Sequence, residues 1–520
     1  MSSTVRKILI VTGILVVTAL LIWIGSNIYL NQKVKTFLTE SLPPHMKASY
    51  DDVSVATFSG TLSGTNLRLD ISNRTNDSIH TSVDVAKLKV ENLSLWRYLF
   101  QKEIHMDAIE ISKPEIVYHT HKLSQRDSTQ KNKAMLNLSK PIKIGKVAIT
   151  NGRISMFDNK KDSLLLYSTD ITIEIDSILV TKKTLSERLP LQYKSYYVTG
   201  DSIFLKASDY ENLTLQNFSV SPSEALFNAI QFRTKYTRPE LSRQISKERD
   251  HFSLEIPKFR ILKPDFGFNN RQLFVDCSSI QINNPKLSIF RDKTVADDAS
   301  IKPLYSEMLR KLNFQLTIPK IDIQQAAIDY TEKVKSDNSG GTIHFSKLDI
   351  AMENVSNTYS EGTKTNLTFD GTFMGTTPMK VNWNFDVNNA SDAFLFKGDV
   401  GSLPAAELNE FTEPNLKVRM EGTANQTYFT ISGNRNTSQV DFKINYDDFK
   451  VSLMKDDSKG KKGILSGIVN LFISKDSNKS TDDFRKGSAT VERDKTKSIF
   501  NFLWLNVRDG LKKAILGGQN

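Results

Sequence analysis

The sequence predicts a mainly β fold: an elongated, curled antiparallel sheet forming an apolar groove, with an N-terminal transmembrane helix, a few short helices and a C-terminal amphipathic helix. Three observations predict it. Apolar and polar residues alternate with a period near two through most of the 520 residues, five sixteen-residue windows align without gaps, and an uncharged apolar run stands near the start. With 39% hydrophobic and 24% charged residues the chain can bury a large core and is no disordered polymer. Of the formal net charge of +11, more than half lies from residue 455 onward, where 14 basic residues stand against 8 acidic ones. A nucleic-acid domain spreads basic charge over a folded face with interleaved aromatics, so nucleic acid is not an expected partner. The single cysteine, Cys277, excludes internal disulfides and Cys-based zinc sites.

Taken in order, residues 1–7 read as a cytoplasmic tail and residues 8–30 as a transmembrane signal-anchor. Ile8 to Leu30 is 23 residues without a charge; at about 1.5 Å per residue a helix of that length spans the roughly 30 Å hydrocarbon layer. A cleaved signal peptide carries a shorter apolar stretch, about 7–15 residues. Trp23 and Tyr29 are expected at the outer interface, in a single pass of the inner membrane with the body outside. Asn31 to Ser41 continues as a short helix stopped by Pro43 and Pro44. Strand signals then dominate, as in Val85–Leu95, Ser168–Ile178 and Phe345–Val355. Helical candidates are Ser94–Lys102, Ser223–Ile230, Ser300–Leu312 and Leu403–Phe411.

The aligned windows begin at Ile104, Ile142, Leu254, Val275 and Leu316, and columns 1, 3, 6, 8, 13 and 15 are apolar in all five. Column 8 is always isoleucine: Ile111, Ile149, Ile261, Ile282 and Ile323. Column 11 is Pro114, Gly152, Pro264, Pro285 or Ala326, among polar residues that suit a tight turn. Each window therefore reads as a strand–turn–strand hairpin. A β-bulge between columns 3 and 6 absorbs the change of phase and keeps the apolar side chains on one face. Few helices are available to cover that face, so it either packs on another sheet or stays open as a trough for hydrocarbon. The expected lining of the trough is Ile104, Met106, Ile109, Ile111, Ile116 and Tyr118; Ile142, Ile144, Val147, Ile149, Ile154 and Met156; Ile256, Phe259, Ile261, Phe266 and Phe268; Ile280, Ile282, Leu287 and Ile289; and Ile318, Ile321, Ile323, Ile328 and Tyr330.

Three stretches carry a resemblance: the anchor; Tyr50–Ile71 (YDDVSVATFSGTLSGTNLRLDI) followed by Ala86–His119; and Phe396–Met454, with its short "LN" helix, "G" turn and terminal "Y..FKV" strand. They make the chain similar to the AsmA-like family, relatives of TamB and of the bridge-like lipid-transfer proteins built from repeating β-groove units. On that resemblance, 31–120 is an AsmA-like N-terminal β-groove segment, 121–395 holds central groove repeats, 396–455 is an AsmA-like late β segment, and 456–520 is a basic tail with an amphipathic helix. The resemblance implies an inner-membrane protein with a periplasmic groove, acting on phospholipids in envelope lipid homeostasis, with an outer-membrane or envelope protein as a further partner.

In the tail, Ile499, Leu503, Val507, Leu511 and Ile515 recur every four residues, beside Phe500, Trp504, Arg508, Lys512 and Lys513. This amphipathic helix suits membrane or partner docking, or caps the end of the sheet. Gly463 to Ile473 is apolar but too short to span a bilayer. His119 and His121 lack a clustered third ligand, and no nucleophile, phosphate-loop or dinucleotide motif is present, so no metal, cofactor or catalytic residue is expected and the chain does not read as an enzyme. The competing reading is an interaction protein whose strands close into sandwiches and whose edges or terminal helix bind an envelope-assembly partner.

Overall fold

The computed structural model describes residues 28–516 apart from 30, 37–39, 41, 58, 75, 95, 124–137, 139, 159–162, 188, 190, 270–271 and 455–482. The expected membrane span, with Trp23, and the apolar stretch 463–473 lie outside the described residues, save Ile28 and Tyr29, both exposed. No helix among the described residues is long and apolar enough to cross a membrane. Residues 31–36 are helical, as expected.

The fold is mainly β, with 26 strands in mixed sheet among the described residues. The described residues divide into two compact units, one running up to Ala207 and including Thr214–Pro222, the other made of Ser208–Leu213 and everything from Ser223 onward. The first contains β1 (Met46–Ser49), β2 (Asp52–Ala56), β3 (Thr61–Ser72), β4 (Ile79–Glu91), β5 (Ile104–His119), β6 (Ile142–Asp158), β7 (Ser163–Val180), β8 (Ser195–Gly200) and β9 (Ser202–Lys206). The division falls within β10 (Glu211–Leu215), and β11 (Asn217–Val220) pairs with β8. Strands β3 to β8 follow one another as neighbours, antiparallel throughout except β5–β6, which is parallel. Residues 120–141 separate the two strands, and β6 begins beside the start of β5, a separation long enough for a parallel pair.

The second unit contains β12 (Glu224–Thr234), β13 (Asp250–Leu262), β14 (Asp265–Asn269), β15 (Gln272–Asp276), β16 (Ser279–Asn283), β17 (Lys286–Asp292), β18 (Gln315–Lys333), β19 (Gly341–Ser356), β20 (Lys364–Phe373), β21 (Thr377–Asp386), β22 (Phe394–Val400), β23 (Leu403–Pro404), β24 (Val418–Gly433), β25 (Thr437–Leu453) and β26 (Arg485–Glu492). Here β15, β16 and β17 all run parallel to β18, and the ladder from β18 to β26 is antiparallel. The expected antiparallel sheet is thus corrected to a mixed one.

The helices of this unit are α1 (Arg238–Gln244), α2 (Tyr305–Arg310), α3 (Asn409–Leu416) and α4 (Ile499–Leu516). The Glu240 carboxylate accepts the Thr237 N–H at 2.9 Å and caps α1. Ser223–Ile230, expected as a helix, is strand β12: Ala225 and Phe227 sit opposite Ile261 and Phe259, and cross-strand pairing overrides local propensity. Ser300–Leu312 contracts to α2, and a turn of helix at Arg97–Gln101 falls within Ser94–Lys102.

The large core lies in the C-terminal half of the second unit. There Phe394, Ile431, Val440, Phe442 and Tyr446 of the sheet pack with Ile499, Phe502, Leu503 and Ala514 of α4. The helix lies close against the sheet because Gly487 has no side chain, since a Cβ there would stand 2.2 Å from the Ala514 nitrogen. Asn506, fully buried, accepts from the Ser438 hydroxyl at 2.8 Å and donates to the Phe502 carbonyl at 2.8 Å, so its burial leaves no amide unsatisfied. A second knot ties α2 to the turns beside it: the buried Asp392 carboxylate lies 2.7 Å from Arg310, 3.1 Å from Arg435 and 2.9 Å from the Ser306 hydroxyl.

Candidate functional site

The five windows are not hairpins. Windows one, two and five are single strands, β5, β6 and β18, that pass straight through the expected turn. In windows three and four the strand assignment breaks there, yet the chain keeps its direction, with β16 and then β17 both parallel to β18. At that point column 10 is in the left-handed region in every window: Lys113 (φ 49°), Asn151 (φ 54°), Lys263 (φ 47°), Asn284 (φ 51°) and Gln325 (φ 54°). A single left-handed residue turns the following side chains to the other side of the strand without reversing the chain, and so converts an odd column spacing into one face.

The other phase change, between columns 3 and 6, also has a left-handed residue, but on the neighbouring strand. Opposite column 4 stand Asn92, Ser177, Ala229, Lys263 and Asn354, with φ of 49°, 54°, 51°, 47° and 58°. The pairings Ile144↔Ile178 and Lys146↔Asp176 flank Gly145 and Ser177, so each strand spends one residue there. The expected bulge, with its extra residue, is therefore a matched kink.

Identical columns face one another where windows are neighbours. Across β5–β6 Ile104 meets Ile142, Met106 meets Ile144, Ile109 meets Val147, Ile111 meets Ile149, Ile116 meets Ile154 and Tyr118 meets Met156. In the second unit Ile280 meets Ile321, Ile282 meets Ile323, Leu287 meets Ile328 and Ile289 meets Tyr330. Rows then continue across the strands. In the first unit one row reads Leu88, Ile111, Ile149, Ile173, Val198 and Val220. In the second, one reads Ala225, Ile261, Ile280, Ile321, Met352, Leu367, Trp383, Phe396, Ile431, Val440 and Ala489. Leu88, Ile173, Met352 and Leu367 were not among the expected lining residues, although for the first three the alternation of β4, β7 and β19 carried the signal.

Burial along these rows decides what they are. In the first unit the row residues are half-buried, and among the described residues the buried apolar side chains there are few: Val53, Pro114, Leu138, Ile178 and Leu215. In the second unit Ile261, Ile280 and Ile321 are half-buried, while Ile431 and Val440, beneath α4, are 0% exposed. The opposite face carries cross-strand ion pairs, among them Lys146–Glu174 at 2.9 Å and Arg260–Glu224 at 2.6 Å. The Arg260 guanidinium, hydrogen-bonded to Glu224, holds that carboxyl below its ordinary range. The apolar rows hold no such charges. At one edge of the face Tyr330 donates its hydroxyl to Glu332 at 2.7 Å, and burial pushes that phenol well above its usual value. Phe266 and Phe268, expected in the lining, lie on the exposed β14–β15 hairpin.

The C-terminal helix caps the sheet. Leu503, expected as a docking residue, is 6% exposed within the core, and Val507 and Leu511 pack against it. Phe500 and Trp504 point outward, 62% and 49% exposed, with Lys512 and Lys513 also at the surface and Arg508 paired with Asp509. The His119 and His121 rings meet edge to face at 5.8 Å, and the described residues bring no group of three or more His, Cys, Asp or Glu together in a geometry that holds a metal. No protein-family model matches the chain, and comparison of its sequence with curated proteins gives no match.

Proposed function

We propose that the chain is a membrane-anchored, AsmA-like lipid-binding protein of the periplasmic side of the inner membrane, which holds phospholipid acyl chains along its apolar rows and conducts them in support of envelope lipid homeostasis. The observation that carries this reading is the run of register-matched isoleucines left half-buried over the first unit and the start of the second. Removing hydrocarbon from water stabilises by about 0.8 kcal/mol per methylene, so acyl chains are a favourable cover for such a face. Without charged groups in the rows, cargo meets no tight polar site and its head groups stay in water.

The test is mass spectrometry of organic extracts from residues 31–520 purified beside an unrelated β-rich protein. Several phospholipids per chain, absent from the control, support the reading. A lipid-free, monodisperse body overturns it and leaves partner binding through exposed edges and the outer face of α4.

A further inference from the structure

The connection between β4 and β5 carries a separate feature, independent of the apolar rows. Trp96, Tyr98 and Phe100 are 67%, 45% and 64% exposed, and the Trp96 and Phe100 rings lie 4.1 Å apart on one side of a single helical turn. Three large aromatics left in water on one turn forgo the stabilisation that burial would give them. The turn is nevertheless held firmly. Ser94 donates its N–H to the His105 carbonyl at 2.9 Å, and Lys140 donates to the Tyr98 carbonyl at 2.6 Å with its ammonium 3.4 Å from the Tyr98 ring centre. It is thus a fixed presentation of aromatic side chains.

Register places basic residues around it. Glu91 pairs with Ala108, and Ile104 with Ile142 and through it Val180, so the ends of β4, β5, β6 and β7 lie side by side. That end gathers Lys102, Lys140 and Lys182, Lys140 lying over the Tyr98 ring and Lys102 and Lys182 exposed. Its carboxylates, Glu187 apart, are already engaged: Glu103 by Lys143 at 2.7 Å and Arg97 at 3.1 Å, Asp107 by the Asn92 amide at 2.7 Å, and Glu91 by Lys89. Indole and phenol rings favour the head-group layer of a bilayer, and surplus lysines favour anionic lipid. We infer that Trp96, Tyr98, Phe100, Lys102, Lys140 and Lys182 form a docking surface for an anionic phospholipid bilayer, into whose head-group layer the three rings insert.

The experiment uses the full chain carrying Cys277→Ser and Phe100→Cys, labelled at position 100 with an environment-sensitive fluorophore and incorporated into vesicles of phosphatidylcholine and phosphatidylglycerol in equal parts. Asp77→Cys, an exposed site at the other end of the same strands, is the reference position. The expected result is a blue shift at position 100, quenching by lipid-borne nitroxide and protection from aqueous iodide, with position 77 remaining water-like. Lys102→Gln with Lys182→Gln restores iodide quenching at position 100 with an unchanged circular dichroism spectrum. Equal iodide quenching at both positions overturns the proposal. So does a blue shift already present in the lipid-free protein, which means the patch is covered by protein, and so does equal insertion into pure phosphatidylcholine. Lipid retained in the apolar rows is measured separately, so either result leaves the proposed function to its own test.

Discussion

Asn151 and Lys113 stand side by side at the same kink, both left-handed, and the identity of the residue there sets a local cost. For a residue with a Cβ this conformation costs roughly 1–2 kcal/mol, least for asparagine, and most where the side chain is β-branched. Asn151→Val is therefore expected to destabilise by about 1–2 kcal/mol in urea melts, whereas Asn151→Gly stays within about 0.5 kcal/mol. His344 offers a second residue-scale test. Its ring lies 2.9 Å from Glu410 of α3 and 2.8 Å from Asp329, and the hydrogen bond to Glu410, helped by that to Asp329, holds the imidazole above its ordinary value. A base whose affinity for protons is raised by folding stabilises the fold fully below its unfolded value and loses that contribution as pH rises through the folded one. Hydrogen exchange of α3, corrected for intrinsic rates, is expected to quicken as pH rises through that raised value, and His344→Gln removes the dependence.

At the scale of elements, α4 separates the two uses of an amphipathic helix. Phe502 is 1% exposed and Phe500 is 62% exposed, so Phe502→Ala is expected to cost about 3–5 kcal/mol in thermal unfolding while Phe500→Ala stays within about 0.5 kcal/mol. The four-residue repeat of Ile499, Leu503, Val507 and Leu511 was readable in the sequence; that it meets the sheet rather than a membrane was not, because periodicity names a face without naming its partner. The hairpin expected of each window gives way to a through-going strand for a similar reason. Asn, Gly and Pro at columns 10 and 11 are turn residues because they tolerate unusual backbone, and a kink that keeps the chain's direction needs the same tolerance. Only the partner strand decides between them. The phase changes themselves, and the face they preserve, were legible from column spacing alone.

For the whole molecule, the difference in burial between the row of the first unit and the part of the second unit's row beneath α4 predicts opposite responses to one kind of substitution. Ile111→Glu with Ile149→Glu, in the half-buried part, is expected to leave a cooperative melt near its original temperature and to abolish lipid retention. Ile431→Glu, 0% exposed beneath α4, buries an unpaired charge and is expected to cost more than about 4 kcal/mol, enough to remove the folded transition of that region. A double variant that also fails to fold would count against an open face. The β class and the face that most of the aligned columns share were legible in the sequence, while parallel pairing was not, since alternation is the same in either direction.

The kinks do not occur strand by strand. In the first unit Asn66, Lys113, Asn151 and Asp170 stand at one level of β3, β5, β6 and β7, with Ala86 of β4 between the first two, and in the second unit Gln325 and Lys347 share a level on β18 and β19, up to the unbroken pairing of β20 with β21. In a crystal this is a dislocation: a fault shared by each row with the next, which cannot end inside well-matched neighbours. Deleting Asn151 alone would push one half of β6 out of step with β5 on one side and β7 on the other, whereas a deletion in a surface connection disturbs nothing beyond itself. Within each unit the fault line makes the register of one strand the business of its neighbours.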